Sequence, residues 1–208
     1  MNSKEFQSLL SSCAELNRTF KNEIVFIGGI AVYIHAIHLP NVRDLAETTH
    51  DADFYISMTA MSDLRDMEEV TQNLRLSKHQ IIKHGFEFDI YTERHARLLV
   101  PYADIRSHAK HYDDFQVASL EHLLVLKLEA YKERRSSSKG MKDAKDLLRI
   151  CLCAEKLGFQ KKIFQKYELK HHRTLLEEAI HGPAVVELTL GNSHLAKKYR
   201  QIAAQVLK

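Results

Sequence analysis

Residues 23–30 read Glu-Ile-Val-Phe-Ile-Gly-Gly-Ile, and this stretch decides the fold class. Its apolar part, residues 23–27, predicts a short buried strand, and the apolar periodicity of residues 30–38 predicts a helix directly after the glycines. Glycine allows a tight turn and a close approach of a ligand, and the first N–H groups of a helix carry partial positive charge. We therefore expect Gly28 and Gly29 to bind a phosphate group.

Two further stretches place carboxylates on strands. Residues 51–56, Asp-Ala-Asp-Phe-Tyr-Ile, alternate as a strand does, so Asp51 and Asp53 lie on one face, about 7 Å apart. Residues 86–91, Phe-Glu-Phe-Asp-Ile-Tyr, predict another strand that carries Asp89. Ionised carboxylates this close repel one another unless a cation lies between them, and hard oxygen ligands suit Mg²⁺ or Mn²⁺. The three aspartates are therefore the candidate metal ligands.

Taken singly, a Gly-Gly pair also fits an ordinary turn, and an Asp-x-Asp pair also fits a solvated surface. In this order, however, the glycines and aspartates resemble the DNA polymerase β-like nucleotidyltransferase superfamily. There, a Gly-Gly or Gly-Ser turn precedes Asp-x-Asp, and a third Asp lies on a neighbouring strand. The resemblance implies an α/β (α+β) nucleotidyltransferase fold with a small mixed sheet. It also implies an NTP that contacts the glycines, and catalysis and metal binding by Asp51, Asp53 and Asp89.

A second block of sequence narrows the resemblance. Residues 119–134 contain Lys-Leu-Glu-Ala at positions 127–130 and end in Arg134, and residues 142–147 read Lys-Asp-Ala-Lys-Asp-Leu. They are similar to the Lys-Leu-x-Ala…Arg…Lys-Asp-x-x-Asp-Leu signature of the AbiEii-like nucleotidyltransferases. That family comprises the toxin components of bacterial toxin–antitoxin and phage-defence systems. The resemblance covers residues 24–148, roughly six tenths of the chain.

Membership of that family would define an activity and its partners. The resemblance implies transfer of a nucleoside monophosphate from an NTP to a hydroxyl of RNA, tRNA or protein, with Mg²⁺ or Mn²⁺ as cofactor and a cognate antitoxin as partner. It implies phosphate contacts for Lys127 and Arg134 and a catalytic part for Asp143. The family often has Arg four residues before the first aspartate of the pair. This chain has Glu47 there, and Arg43 is the nearest substitute.

The residues themselves leave the role of Lys127 open. Lys127 lies in an apolar helical stripe that follows the N-cap candidate Ser119. Burying a lysine costs roughly several kcal/mol unless its charge is paired, so the side chain either extends to the solvent edge or meets an anion. Asp143 and Asp146 fall at the predicted start of the next helix, where acidic residues also stabilise the helix N-terminus.

Composition is that of a globular protein, with 45% hydrophobic and 27% charged residues among 208. The sequence lacks an apolar run of about 20 residues and a signal-peptide core, so we expect a cytoplasmic protein without a membrane partner. Its three cysteines form no paired framework and are expected to be reduced. Among 13 histidines, His171 and His172 are adjacent, but no cysteine or carboxylate completes a zinc spacing. We expect exposed or hydrogen-bonded histidines.

Charge is distributed unevenly along the chain. Residues 1–110 carry 12 Lys and Arg against 15 Asp and Glu, a net of −3, whereas residues 111–208 carry 18 against 12, a net of +6. A basic half suits a polyanionic acceptor such as RNA, because it neutralises phosphates. Ordinary solvated helix faces explain the same surplus.

The predicted architecture is an α/β nucleotidyltransferase domain over residues 1–115 and a helical domain over residues 116–208. Two alternatives to the toxin remain: an antibiotic-modifying nucleotidyltransferase, and a non-catalytic nucleotide- or RNA-binding module on the same fold. The periodicity predicts strands and helices as follows: strands at 77–84 and 86–92, and helices at 4–20, 63–74, 141–157, 159–172, 174–180 and 193–207.

Overall fold

The chain forms two compact units, each built from two separate stretches of sequence. The computed structural model describes residues 3–73, 77–94 and 98–206. One unit comprises Met1–Ile34 and Glu47–Ser119, and the other comprises His35–Ala46 and Leu120–Lys208. The first unit contains the sheet, and the second is helical.

A mixed sheet forms the centre of the first unit. Within the described residues it has seven strands: β1 (Ile24–Ile27), β2 (Asp51–Ile56), β3 (Thr71–Asn73), β4 (Lys78–Lys83), β5 (Phe86–Tyr91), β6 (Lys110–Tyr112) and β7 (Phe115–Val117). They lie in the order β3-β4-β5-β2-β1-β7-β6. Two of the pairings are parallel, β2 with β5 and β1 with β7, and the other four are antiparallel.

Helices account for most of the remaining residues. They are α1 (Ser3–Thr19), α2 (Gly28–Ile37), α3 (Pro40–Arg43), α4 (Met58–Met67), α5 (Tyr102–Ser107), α6 (Leu120–Arg134), α7 (Ser138–Leu157), α8 (Lys161–Gln165), α9 (His172–His181), α10 (Pro183–Leu188) and α11 (Ser193–Val206). In the second unit, α6 packs along α7, and both contact α9. None of the described helices is long and apolar enough to cross a bilayer.

Alternate residues along the central strands form an apolar face of the sheet. Phe26, Phe54 and Phe88 lie side by side on β1, β2 and β5, fully buried, with ring centroids 6.0 and 6.3 Å apart. Each such side chain contributes roughly 1.5–3 kcal/mol of burial free energy. The alternation that buries these rings turns Asp51 and Asp53 to the opposite face. The predicted fold class is therefore confirmed.

The helix predicted over residues 63–74 is wrong at both ends. The helix begins at Met58, because Ser57 caps it by accepting a hydrogen bond from the N–H of Ala60 (3.2 Å). It ends at Met67, and residues 71–73 form the edge strand β3 instead. Residue 74 lies outside the described residues. Thr71, Gln72 and Asn73 lack an apolar side, so their strand rests on pairing with β4.

The helix predicted over residues 159–172 is also wrong. The chain forms the short helix α8 and then leaves helical geometry until α9 begins at His172. The N–H of Leu169 donates to Nδ1 of His172 (3.1 Å), and the N–H of His172 donates to the carbonyl of Leu169. This local exchange of hydrogen bonds replaces a continuous helix without any glycine or proline to mark it.

The cysteines lie inside the protein. Cys13, Cys151 and Cys153 are free and buried, which confirms the expectation of reduced thiols. Burial raises the pKa of Cys151 and of Cys153 to about 12. Neither thiol is therefore ionised at neutral pH.

Candidate functional site

The parallel pairing of β2 with β5 brings the predicted aspartates onto one face of the sheet. Asp53 lies opposite Asp89 and Asp51 lies opposite Glu87, and neighbouring strands are about 4.8 Å apart. We call this side of the sheet the aspartate face. Asp89 is buried, Asp51 and Asp53 are half-buried, and Glu87 is exposed. Three of the predicted site residues are thus together.

Gly28 lies directly against Asp53. Gly28 begins α2 with a φ of +64°, and a Cβ there would overlap Oδ2 of Asp53 and lie 2.9 Å from its Cγ. A side chain at position 28 would therefore displace the carboxylate. Gly28 and Gly29 form the first turn of α2 itself, so the acidic group lies close to the partly positive N-terminus of the helix.

Replacing Gly28 with Ala should lower the free energy of unfolding by about 1–3 kcal/mol, since Ala must adopt a positive φ and clash with Asp53. The measurement is urea denaturation of the purified variant. Gly85→Ala is the matched control, because Gly85 also has a positive φ (+83°) but no atom lies within 4 Å of its added Cβ. Equal losses for the two variants would contradict the packing of Asp53 against Gly28.

Side chains of neighbouring residues orient the aspartates. Thr49 donates its Oγ1 hydrogen to Oδ1 of Asp51 (2.7 Å), and the hydroxyl of Tyr91 lies 3.5 Å from Oδ1 of Asp53. Lys78 donates to Oδ2 of Asp89, and Gln80 donates to Oδ1 of Asp89 (2.8 Å).

Sequence reasoning missed Lys78 and Gln80. The signal was available: the alternation of β4 puts both residues on one face, and the antiparallel register places Gln80 opposite Asp89. Arg43, the suggested substitute for the missing family arginine, donates its Nε–H to the carbonyl of Ile37 (2.8 Å).

The other predicted site residues form a buried ion cluster in the second unit. Nζ of Lys127 lies 3.0 Å from Oδ1 of Asp143 and 2.7 Å from Oδ2 of Asp146. Arg134 donates to both oxygens of Asp143, at 2.6 and 3.1 Å. Arg149 donates to Asp146 at 2.8 Å. Three of the predicted site residues therefore contact one another in this cluster: Lys127 and Arg134 both bind Asp143.

Charge pairing holds this cluster ionised. Burial alone would lower the pKa of Lys127, but Asp146 and Asp143 outweigh it and raise that pKa. Burial would raise the pKa of Asp143, but Arg134 and Lys127 hold it below its ordinary value. The Lys127 side chain is only 8% exposed, so it does not extend to solvent, and the anions it meets are carboxylates. Asp143 and Asp146 lie beyond the first turn of α7, where a helix-dipole explanation no longer holds.

A third cluster joins residues that are distant in sequence. Ligand atoms of Glu129, His171 and His172 lie within 4.8 Å of one another, the one such trio among the described residues. Sequence spacing gave no carboxylate near this histidine pair, because Glu129 comes from α6.

The hydrogen bonds of His172 disfavour a metal at this cluster. Its Nδ1 accepts from the N–H of Leu169, so the neutral ring carries its proton on Nε2 and donates it to Oε1 of Glu129 (2.9 Å). A metal ligand would need the lone pair of that Nε2. The expectation of hydrogen-bonded histidines is confirmed for this pair.

Because of the third cluster, the free energy of unfolding should fall as the pH falls. Burial lowers the pKa of His172 from its ordinary 6.5, although Glu129 opposes this. Burial would raise the pKa of Glu129, but hydrogen bonds from His171 and His172 lower it from 4.5. The unfolded chain therefore binds more protons below pH 6.5 at His172 and below pH 4.5 at Glu129, and stability is lost there.

The measurement is the melting temperature at pH 7.5 and pH 5.5. From pH 7.5 to pH 5.5 the melting temperature of the wild type should fall further than that of His172→Gln. The melting temperature of His194→Gln, a substitution of an exposed histidine, should fall as much as that of the wild type. Identical losses for all three proteins would exclude His172 as a source of the acid sensitivity.

Comparison with solved structures identifies the class of fold. A crystal structure of an antigenic nucleotidyltransferase-like protein from Paracoccidioides brasiliensis aligns with a TM-score of 0.54 and 16% identity, covering 95% of this chain and 94% of that one. A proposed nucleotidyltransferase from H. pylori aligns with a TM-score of 0.43 and 11% identity, covering 99% of both chains. No protein-family model and no curated protein sequence matches the chain. The chain thus has a nucleotidyltransferase-like fold, and its activity has to be argued from the site.

Proposed function

We propose that this protein is a metal-dependent nucleotidyltransferase that moves a nucleoside monophosphate from an NTP to an acceptor hydroxyl. The observation that carries the proposal is the packing of Asp53 against Gly28 at the start of α2, with Asp51 beside it and Asp89 opposite it on β5. This places helix N–H donors and carboxylates side by side. Helix N–H groups can bind the phosphates of an NTP, and carboxylates can bind the divalent cation that accompanies it.

The donor set of the aspartate face fits Mg²⁺ or Mn²⁺. Its ligand atoms are hard carboxylate oxygens. Because Gly28 has no Cβ, the Asp53 carboxylate can lie at the start of α2 without a steric clash. Asp51 and Asp53 would hold the cation, with Asp89 as the third carboxylate of the site. When bound, the cation would neutralise phosphate charge and lower the pKa of the acceptor hydroxyl.

The protein's own groups would then bind the triphosphate and move one proton. N–H groups of Gly28 and Gly29 would donate to phosphate oxygens. The acceptor oxygen forms a bond to the α-phosphorus, the bond to pyrophosphate breaks, and Asp89 accepts the proton of the acceptor hydroxyl. Asp53 and a phosphate would both be anionic at the start of α2, which is a physical reason for a cation between them.

The ion cluster of the second unit has a proposed part as well. Arg134 has a 42% exposed side chain, so it can contact a phosphate while Asp143 orients it. Lys127 and Asp143 are nearly inaccessible, and we propose that they act through Arg134. This revises the direct phosphate contact and the direct catalytic part that the family resemblance implies for these two residues.

The acceptor and the biological role are proposed from charge and resemblance. The net charge of +6 over residues 111–208 suits an RNA acceptor, tRNA first, and the AbiEii-like signature suggests a toxin with a cognate antitoxin. RNA engagement should weaken steeply with salt, with a log–log slope of about −0.7 per phosphate neutralised. A small neutral acceptor would show little salt dependence.

The test is to incubate the purified protein with each α-³²P-labelled NTP, Mg²⁺ and either total RNA, total protein or an aminoglycoside. Label in one acceptor class, abolished by EDTA, supports the proposal and identifies the acceptor. A labelled aminoglycoside would replace the toxin with an antibiotic-modifying enzyme. Binding of NTP without labelling of any acceptor would replace the enzyme with a nucleotide-binding module.

A further inference from the structure

Both oxygens of Asp89 are held by side chains of the adjacent strand. Lys78 pairs with Oδ2 and Gln80 donates to Oδ1, and both residues come from β4. The side chains of Lys78 and Asp89 are 11% and 10% exposed, so water screens this ion pair little. Gln80 also donates to Glu87, which fixes its amide between two carboxylates.

Lys78 supplies the positive charge on the aspartate face. The side chains of β2, β4 and β5 on this side carry four carboxylates and one ammonium, all within the described residues: Asp51, Asp53, Glu87, Asp89 and Lys78. The ammonium is bound to one carboxylate of the three proposed as metal ligands. A second divalent cation at Asp89 would have to displace it or lie against it, at a Coulomb cost.

We propose that Lys78 is a positioning residue that binds Asp89 as its permanent counter-ion, so that the site takes one divalent cation, on Asp51 and Asp53. This inference rests on the proposed function, because it assigns the metal stoichiometry of that same site. Lys78 then keeps Asp89 oriented and leaves its remaining lone pairs for the acceptor proton.

The experiment is a Mn²⁺ titration of the purified full chain without nucleotide, followed by calorimetry and by the EPR signal of free Mn²⁺. The wild type should bind one Mn²⁺ per chain. Lys78→Met removes the counter-ion, so this variant should bind a second Mn²⁺ or bind the first at least about tenfold more tightly. Mn²⁺ should also raise its melting temperature more than that of the wild type.

Two variants serve as controls. Lys83→Met removes a similarly covered lysine from the same strand, but Lys83 points to the other side and pairs with Glu15 and Glu68. It should bind Mn²⁺ as the wild type does. Lys78→Arg keeps the positive charge and should keep one site. If Lys78→Met does not fold, the number of Mn²⁺ ions bound per chain by the wild type and by Lys78→Gln still tests the role of Lys78.

Each result separates this inference from the proposed function. Two ions or none on the wild type, or unchanged Mn²⁺ binding in both Lys78→Met and Lys78→Gln, would overturn the role of Lys78. Nucleotidyl transfer with two bound ions would overturn it while leaving the enzyme proposal intact. One ion on the wild type, a gain in the Lys78 variants and no labelling of any acceptor would uphold it while the enzyme proposal fails.

Discussion

Asp53→Asn should lower nucleotidyl transfer by at least about 10²–10³-fold, because the side chain that packs on Gly28 would no longer supply a charged metal ligand. Asn has nearly the same shape, so the contact with Gly28 is retained. Neutralising one of the neighbouring carboxylates also relieves repulsion with Asp51 and Asp89. Without metal, stability should therefore hold or rise, which separates a loss of chemistry from a loss of folding.

The matched control for Asp53→Asn is Glu87→Gln on the same face of the sheet. Glu87 lies opposite Asp51 but is exposed and is not a proposed ligand. Its variant should keep transfer within a few-fold of the wild type. The assay is incorporation of label from the NTP that the wild type uses, together with thermal melting without metal. Turnover near the wild-type level in Asp53→Asn would remove the aspartate face from the mechanism.

Lys127→Met should lower the free energy of unfolding by about 3–5 kcal/mol, because it leaves two buried carboxylates without a shared cation. Nζ of Lys127 bridges Asp143 and Asp146 within 3.0 Å of each. Arg134 and Arg149 remain, but each contacts one of the two aspartates. The residual negative charge in a covered position is the source of the loss.

Lys132→Met provides the comparison on the same helix. The Lys132 side chain is 48% exposed and lies 3.5 Å from Glu129, so its loss should change stability by no more than about 0.5 kcal/mol. Urea denaturation of both variants measures the difference. A Lys127→Met protein as stable as the wild type would mean that the cluster is not a source of stability.

The central strands and the aspartate face could be predicted because their pattern is local. Asp51 to Phe54 and Phe86 to Tyr91 alternate between polar and apolar side chains, so the strand and the face of each side chain follow from one periodicity. The short strands β6, at the edge of the sheet, and β7, beside it, could not be predicted in this way. Each has only three residues. The turn that joins them has Asp113 at a φ of +48°, and no glycine marks that conformation in the sequence.

The contacts of the predicted site residues depend on tertiary structure. The stripe on α6 left two alternatives for Lys127, the solvent edge or an anion, and the anions that decide between them lie on α7, 16 residues on in the case of Asp143. The same limit applies to Glu129, whose partner His172 is 43 residues away. A periodicity defines which side of an element a residue occupies. Which element covers that side is decided by packing of the whole unit.

The three buried thiols make the protein well suited to labelling. Maleimide reagents react with thiolates, and the native cysteines are covered and protonated at neutral pH. Ile82 is 76% exposed at the end of β4, on the side of the sheet that carries Asp89. A cysteine introduced there would react selectively without prior removal of the native ones, so a fluorophore or spin label can be attached beside the aspartates.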